Sequence, residues 1–268
     1  MIHSKHYPFK KSSVSKKLAE DQESTKTILV IHGLFGNSDN WHSIAQALSS
    51  EFNIYTIDLP NHGQSSPLEQ ASYDTIATLI NEWMQQIKLE KCFLLGHSMG
   101  GKVAMQLATQ YPEKVQGLIV VDIAPVDYPS GHHDIFDGLK AINPQVIHSR
   151  KQADTILRDY EPLVPIRQFL LKSLIKGDNG FQWLIHIDNL FNNYVSIRSA
   201  PPLPASYQGN TLFIKGENST YIQEKHRDTI LHWFPTAQVK IIPDAGHWLH
   251  AEKPLPFTSL VKRFCHPH

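Results

Sequence analysis

The sequence predicts an α/β fold: a mostly parallel sheet with helices on both faces and an inserted helical cap. Three observations predict it. Short apolar runs rich in Val, Ile and Leu alternate with amphipathic stretches up to about residue 125. One of those runs passes through Gly96-His97-Ser98-Met99-Gly100 straight into a helical pattern. From about residue 126 no clear strand follows until Thr211, where apolar runs resume. The 268 residues therefore divide into a core of 1–125 and 205–268 and a cap of 126–204.

Taken in order, residues 1–26 are polar and lysine-rich (Lys10, Lys11, Lys16, Lys17), which suits a solvated surface, with a short edge strand near Tyr7–Lys10. Thr27-Ile28-Leu29-Val30-Ile31 reads as a central parallel strand. Between Asn37 and Ser50 a loop and a helix follow, with Trp41, Ile44, Ala45 and Leu48 at helical spacing. Phe52–Asp58 reads as a strand and Asp58–Ser65 as a turn-rich loop, which the Asp58 carboxylate holds through backbone N–H groups. From Tyr73 to Ile87, Ile76, Leu79, Ile80, Trp83, Met84 and Ile87 recur at three and four, so this is an amphipathic helix. Cys92–Leu95 is a buried strand, Val103–Ala108 a helix, and Gly117–Val121 the next strand, closed by Asp122.

The cap carries four helical stretches, 133–142, 152–160, 166–176 and 188–197, and Pro201-Pro202-Leu203-Pro204 marks the return to the core. Thr211–Lys215 and Val239–Ile242 complete the sheet, with helices over 223–234 and 254–264.

Composition narrows the function. Hydrophobic content of 41%, charged content of 19% and 25 residues of each sign argue for a globular chain with a sizeable core, and against a nucleic-acid or anionic-membrane partner. Two cysteines make no disulfide framework, and no apolar leader or membrane-length run is visible, so a cytoplasmic protein is expected. None of the sixteen histidines sits in zinc-ligand spacing, so no metal is expected.

The chemistry gathers at three places. A Gly-x-Ser-x-Gly turn between a strand and a helix exposes a serine, here Ser98, on strained backbone; Gly96 and Gly100 keep the turn free of side-chain collisions. His32-Gly33-Leu34-Phe35-Gly36 closes the first core strand, where backbone N–H groups can stabilise an oxyanion; Leu34 N–H is assigned one half of that hole and Met99 N–H the other. His247 follows the last strand, in the position of a general base. Asp122, at the end of an apolar run, needs a partner if buried. Serine, acid, histidine is the chain order that such a site requires, and Ser98, Asp122 and His247 satisfy it.

These motifs resemble the α/β-hydrolase superfamily along nearly the whole chain, and within it the YbfF-like esterases. Val121-Asp122-Ile123-Ala124-Pro125-Val126-Asp127-Tyr128 and Gly216-Glu217-Asn218-Ser219 are the pieces particular to that group. The resemblance implies hydrolysis of carboxylic esters or acyl thioesters such as acyl-CoA, with no cofactor. In many members the acid follows the strand matched by Thr211–Lys215, where this chain has Ser219. Asp122 and Glu217 are the two candidates, and Asp122 is preferred because Glu217 stands two residues early in a tight loop. Ser219 is then either a supporting member that hydrogen-bonds Asp122 or His247, or a simple turn residue. C–C bond hydrolases, lyases, perhydrolases and a ligand-binding receptor share the scaffold, and the intact serine and histidine argue against the receptor. Lys102, Arg150, Lys151 and Arg167 are read as solvated charges rather than contacts for a coenzyme A phosphate.

Overall fold

A computed structural model describes residues 1–10, 26–178 and 180–266. Its strands are β1 (Ser4–Tyr7), β2 (Thr27–Ile31), β3 (Asn53–Ile57), β4 (Cys92–His97), β5 (Val115–Val121), β6 (Leu174–Gly177), β7 (Gly180–Trp183), β8 (Thr211–Gly216) and β9 (Ala237–Ile242). The helices are α1 (His42–Leu48), α2 (Tyr73–Gln86), α3 (Met99–Gln110), α4 (His133–Ala141), α5 (Arg150–Leu157), α6 (Val164–Leu170), α7 (Ile187–Asn192), α8 (Tyr194–Arg198), α9 (Arg227–Trp233), α10 (Leu249–Glu252) and α11 (Pro254–Cys265).

Seven strands form one sheet in the order β1-β3-β2-β4-β5-β8-β9, parallel except for β1. Side-chain alternation sends Leu29 and Ile31 of β2 to a core shared with α2 and α3, through Ile80, Met84, Val103 and Leu107. Ile28 and Val30 face the opposite core, with Ile44 and Leu48 of α1 and Phe257 and Val261 of α11. Each fully buried Leu or Ile side chain contributes about 2 kcal/mol. Burial on both faces is why these strands are continuously apolar.

The parallel register sets the site. Ile31 pairs with Gly96, His97 with Val121, and Val121 with Ile214. The turns after β2, β4, β5 and β8 therefore emerge side by side at one edge of the sheet.

Between β5 and β8 the chain builds a third apolar cluster of its own, in which Phe136, Leu139, Leu157, Leu170 and Leu174 meet Phe35 from the core. Here the expectations need correction. The helix expected over 166–176 stops at Leu170, and β6 and β7 pair as an antiparallel hairpin where no strand was expected. Ser173 fixes the change: its hydroxyl donates to the Phe35 carbonyl, and its own carbonyl accepts the Leu184 N–H. The helix expected over 188–197 is two helices, α7 and α8, divided at Asn193, whose side chain reaches across to Ala71 N–H and the Glu69 carbonyl. The first turn of the helix expected over 223–234 is 3-10, Glu224–His226. The edge strand lies earlier than expected, at Ser4–Tyr7, and Lys11, Lys16 and Lys17 fall outside the described residues.

Candidate active site

β4 runs into α3 through a single residue. Ser98 has φ 53° and ψ −122°, a conformation that costs a non-glycine residue about 1–3 kcal/mol and persists only where its surroundings impose it. The surroundings are two glycines. A Cβ on Gly96 would run into the Gly100 carbonyl, and one on Gly100 into the His32 carbonyl, so α3 can begin this close to β2 only without side chains there. The turn leaves Ser98 partly exposed on a cavity wall. Among the described residues its hydroxyl has no hydrogen-bond partner; such bonds in unliganded sites commonly tighten only with substrate.

Met99 is the first residue of α3, so its N–H has no partner within the helix. The neighbouring turn is braced by histidines. Phe35 N–H donates to His62 Nε2 (3.1 Å) while His62 Nδ1–H donates to the Pro60 carbonyl (3.0 Å). His32 accepts the Leu59 N–H at Nε2 (2.9 Å) and donates from Nδ1 to the Gly33 carbonyl (2.8 Å). Burial drives both pKa values down, that of His62 to about 3, so both rings work as neutral struts. Leu34, between them, keeps its N–H free among the described residues. Asp58 does what its position suggested: Oδ1 accepts Ser38 N–H (2.6 Å) and Oδ2 accepts Gln64 N–H (2.9 Å).

Asp122 leaves β5 with φ 53° and is fully buried. Its Oδ2 accepts His247 Nδ1–H at 2.7 Å and the Ser219 hydroxyl, and its Oδ1 accepts Gly216 N–H at 3.2 Å. Glu217 is elsewhere: it is exposed and accepts the Asp244 N–H at 3.0 Å. Of the two candidate acids, the fold brings only Asp122 to His247.

Sequence reasoning gave no role to His97, Tyr221 and Tyr128, which hold this histidine, or to His250, which packs against His97 behind it. His97 donates from Nε2 to the His247 carbonyl (2.9 Å); burial, with His247 and His250 beside it, drives its pKa far down and keeps it neutral. Tyr221 stacks flat on the His247 ring. Tyr128 donates to the Tyr221 carbonyl (2.6 Å) and accepts Ala124 N–H (2.9 Å). His250 stacks on Trp41 with centroids 4.2 Å apart. The available signals were adjacency and motif: His97 flanks the serine, Tyr221 lies two residues beyond Ser219, and Tyr128 closes the Val121–Tyr128 piece.

Ser98, Leu34, Met99 and His247 all line one cavity of about 550 Å³, within the range of small-molecule sites. Two residues read as solvated charges are buried instead. Lys102 Nζ donates to the carbonyls of Arg198 (2.9 Å) and Ser199 (2.7 Å) and lies 4.8 Å from the Tyr128 ring centroid; burial pushes its pKa down to about 7. Arg167 donates to Asp154 (2.8 Å) and to the Glu161 and Pro162 carbonyls. Arg150 and Lys151 are exposed. Among the described residues no group of His, Cys, Asp and Glu gathers to hold a metal, and no helix is long and apolar enough to cross a membrane.

A family model described as alpha/beta hydrolase fold matches residues 26–254. The chain belongs to that family. The hydrolase is 34% identical over 255 residues to Esterase YbfF of Escherichia coli, covering 95% of this chain and 98% of that protein. It is 38% identical over 259 residues to the mouse protein named sn-1-specific diacylglycerol lipase ABHD11, covering 94% and 84%. A solved structure described as a marine microorganism esterase matches it with a TM-score of 0.90 and 35% identity, over 98% of each chain. Within the α/β hydrolases it stands with the YbfF-like esterases.

Proposed function

We propose that this hydrolase cleaves carboxylic esters through an acyl-enzyme, with Ser98 as nucleophile, His247 as base and Asp122 as acid. The observation that carries the proposal is the buried Asp122 accepting His247 Nδ1–H at 2.7 Å. That bond fixes the tautomer and leaves Nε2 as the basic nitrogen in the cavity lined by Ser98. In this reading His247 takes the Ser98 proton as the oxygen attacks the ester carbonyl, and returns it to the leaving alcohol. The N–H groups of Leu34 and Met99 receive the oxyanion, each lowering the barrier by about 3 kcal/mol. Water activated by His247 then frees the acid. Asp122 keeps its charge throughout and stabilises the imidazolium, and Ser219 supports that carboxylate from the position where relatives of this fold carry an acid.

Residues 126–204 act as the cap that shapes the acyl pocket, and acyl thioesters fall within the same chemistry. If coenzyme A esters are used, their phosphates are met by groups other than Lys102 and Arg167, both of which are engaged internally. A cytoplasmic location belongs to the same reading, supported by two buried free thiols, Cys92 and Cys265.

A fluorophosphonate probe should label the wild type and fail on Ser98→Ala, and hydrolysis of p-nitrophenyl esters should fall by about 10⁴-fold or more in that variant. Retained hydrolysis or labelling in Ser98→Ala overturns the assignment.

A further inference from the structure

One histidine on the cavity wall is held in a single protonation pattern that the proposed reaction does not use. His132 immediately precedes α4, and its Nδ1 lies 2.7 Å from the Tyr194 hydroxyl. The same hydroxyl oxygen accepts the backbone N–H groups of Gly131 and His132, each at 3.1 Å. A phenol has one proton and two acceptor lone pairs. Both lone pairs are taken by the two N–H groups, so the third contact is Tyr194 O–H donating to Nδ1. A neutral imidazole that accepts at Nδ1 carries its proton on Nε2. The ring is neutral, because burial, with His247 and His133 nearby, pushes its pKa down to about 4.

Nε2–H is the group left over. It has no hydrogen-bond partner among the described residues and is not one of the buried polar atoms sealed away without one. The ring itself lines the cavity that holds Ser98 and His247, with Phe35 edge-on to it at a centroid distance of 6.1 Å. An uncharged donor beside aromatic rings suits an uncharged oxygen acceptor. It has no net charge with which to offset the desolvation of a carboxylate.

We infer that His132 is a specificity-determining residue whose Nε2–H donates to a second, uncharged oxygen function of the ester substrate, away from the scissile carbonyl: a hydroxyl, a ketone or another acyl carbonyl. The inference rests on the proposed esterase reading and deepens it. Plain alkyl esters leave this donor without a partner once water is displaced, and lose affinity in the transition state for that reason.

Matched pairs test it: propyl butyrate against glyceryl monobutyrate for the alcohol side, and p-nitrophenyl hexanoate against p-nitrophenyl 5-oxohexanoate for the acyl side. The wild type should favour the oxygenated member of at least one pair by roughly tenfold in kcat/KM. His132→Phe should bring that ratio close to one, and His132→Gln, which keeps an N–H donor, should retain more of it. A wild-type ratio near one for both pairs, or an unchanged ratio in His132→Phe, overturns the inference. Ring-nitrogen NMR of the wild type gives a readout without turnover or mutation: the Nε2–H tautomer of His132 is expected, and an Nδ1–H tautomer overturns the inference even where Ser98 labels normally. Failure of Ser98 to label overturns the esterase reading instead, so the two failures are distinct.

Discussion

Tyr221 lies flat against His247, with ring centroids 3.9 Å apart and planes 18° from parallel. The stack covers one face of the imidazole while Asp122 holds its edge, so the ring has little freedom to turn. Tyr128 anchors the Tyr221 backbone, and Tyr221 N–H donates to the Ser219 hydroxyl at 3.3 Å. One short loop thus serves both the proposed acid and the proposed base. Stacked aromatic pairs contribute about 0.5–1.5 kcal/mol beyond their buried area. Tyr221→Leu should therefore lower kcat by about three- to tenfold, and Tyr221→Phe, which keeps the stack, should stay within about twofold. Steady-state kinetics on one p-nitrophenyl ester decides it, and equal losses in the two variants would refute the stacking role.

The acid is separable by mutation. Asp122→Asn keeps the shape but reverses the donor pattern facing His247 and Ser219, and kcat should fall by about 10⁴-fold. Glu217→Gln touches only the Asp244 turn and should leave kcat within about twofold of wild type. A dead Glu217→Gln beside an active Asp122→Asn would reverse the assignment.

Lys102 makes stability depend on pH. Burial lowers its pKa from 10.5 to about 7 in the folded chain. Between those values the unfolded chain binds a proton that the folded chain has released, so this residue's contribution to stability rises as pH increases through that window. Relative to Lys102→Met, the wild type should gain roughly 1 kcal/mol per pH unit from about pH 7.5 to 9.5. Denaturant melts of both proteins at several pH values measure the difference. A constant gap would mean that the ammonium stays charged across the range.

Asp58 is a structural test. Its carboxylate holds two backbone N–H groups, each charge-assisted bond contributing about 1.5–3 kcal/mol. Asp58→Ala should cost about 3 kcal/mol and lower Tm by roughly 8 °C in a thermal melt. A variant as stable as wild type would show that the loop is held without the carboxylate, by groups such as His32, His62 and the Asn61 side chain.

Some of this was legible in the chain and some was not, for physical reasons. β2 was read residue for residue, because Thr27 is buried with the rest and the four residues after it are continuously apolar. The elbow and the loop that bears His247 were legible because tight turns demand particular residues. The β6–β7 hairpin was hidden: Ile166, Leu170 and Leu174 keep helical spacing, and what ends the helix is the distant contact between Ser173 and Phe35. Lys102 and Arg167 were misread for a related reason. Composition marks them as charged, while their burial is decided by carbonyls and aromatic rings far away in sequence or around a bend. Loop spacing already favours Asp122 over Glu217, and the register of the folded sheet supplies the contact with His247.

The contact of Gly100 against the His32 carbonyl has a consequence for anyone who would re-engineer the enzyme. The turn after β2 and the start of α3 fit each other as two halves of a mould, so neither can be exchanged alone. Chimeras that swap residues 126–204 between relatives leave the Gly100–His32 contact in place but must still supply the donor that Ser173 gives the Phe35 carbonyl. Those that import a foreign turn at 32–36 must bring the matching 96–101 with it.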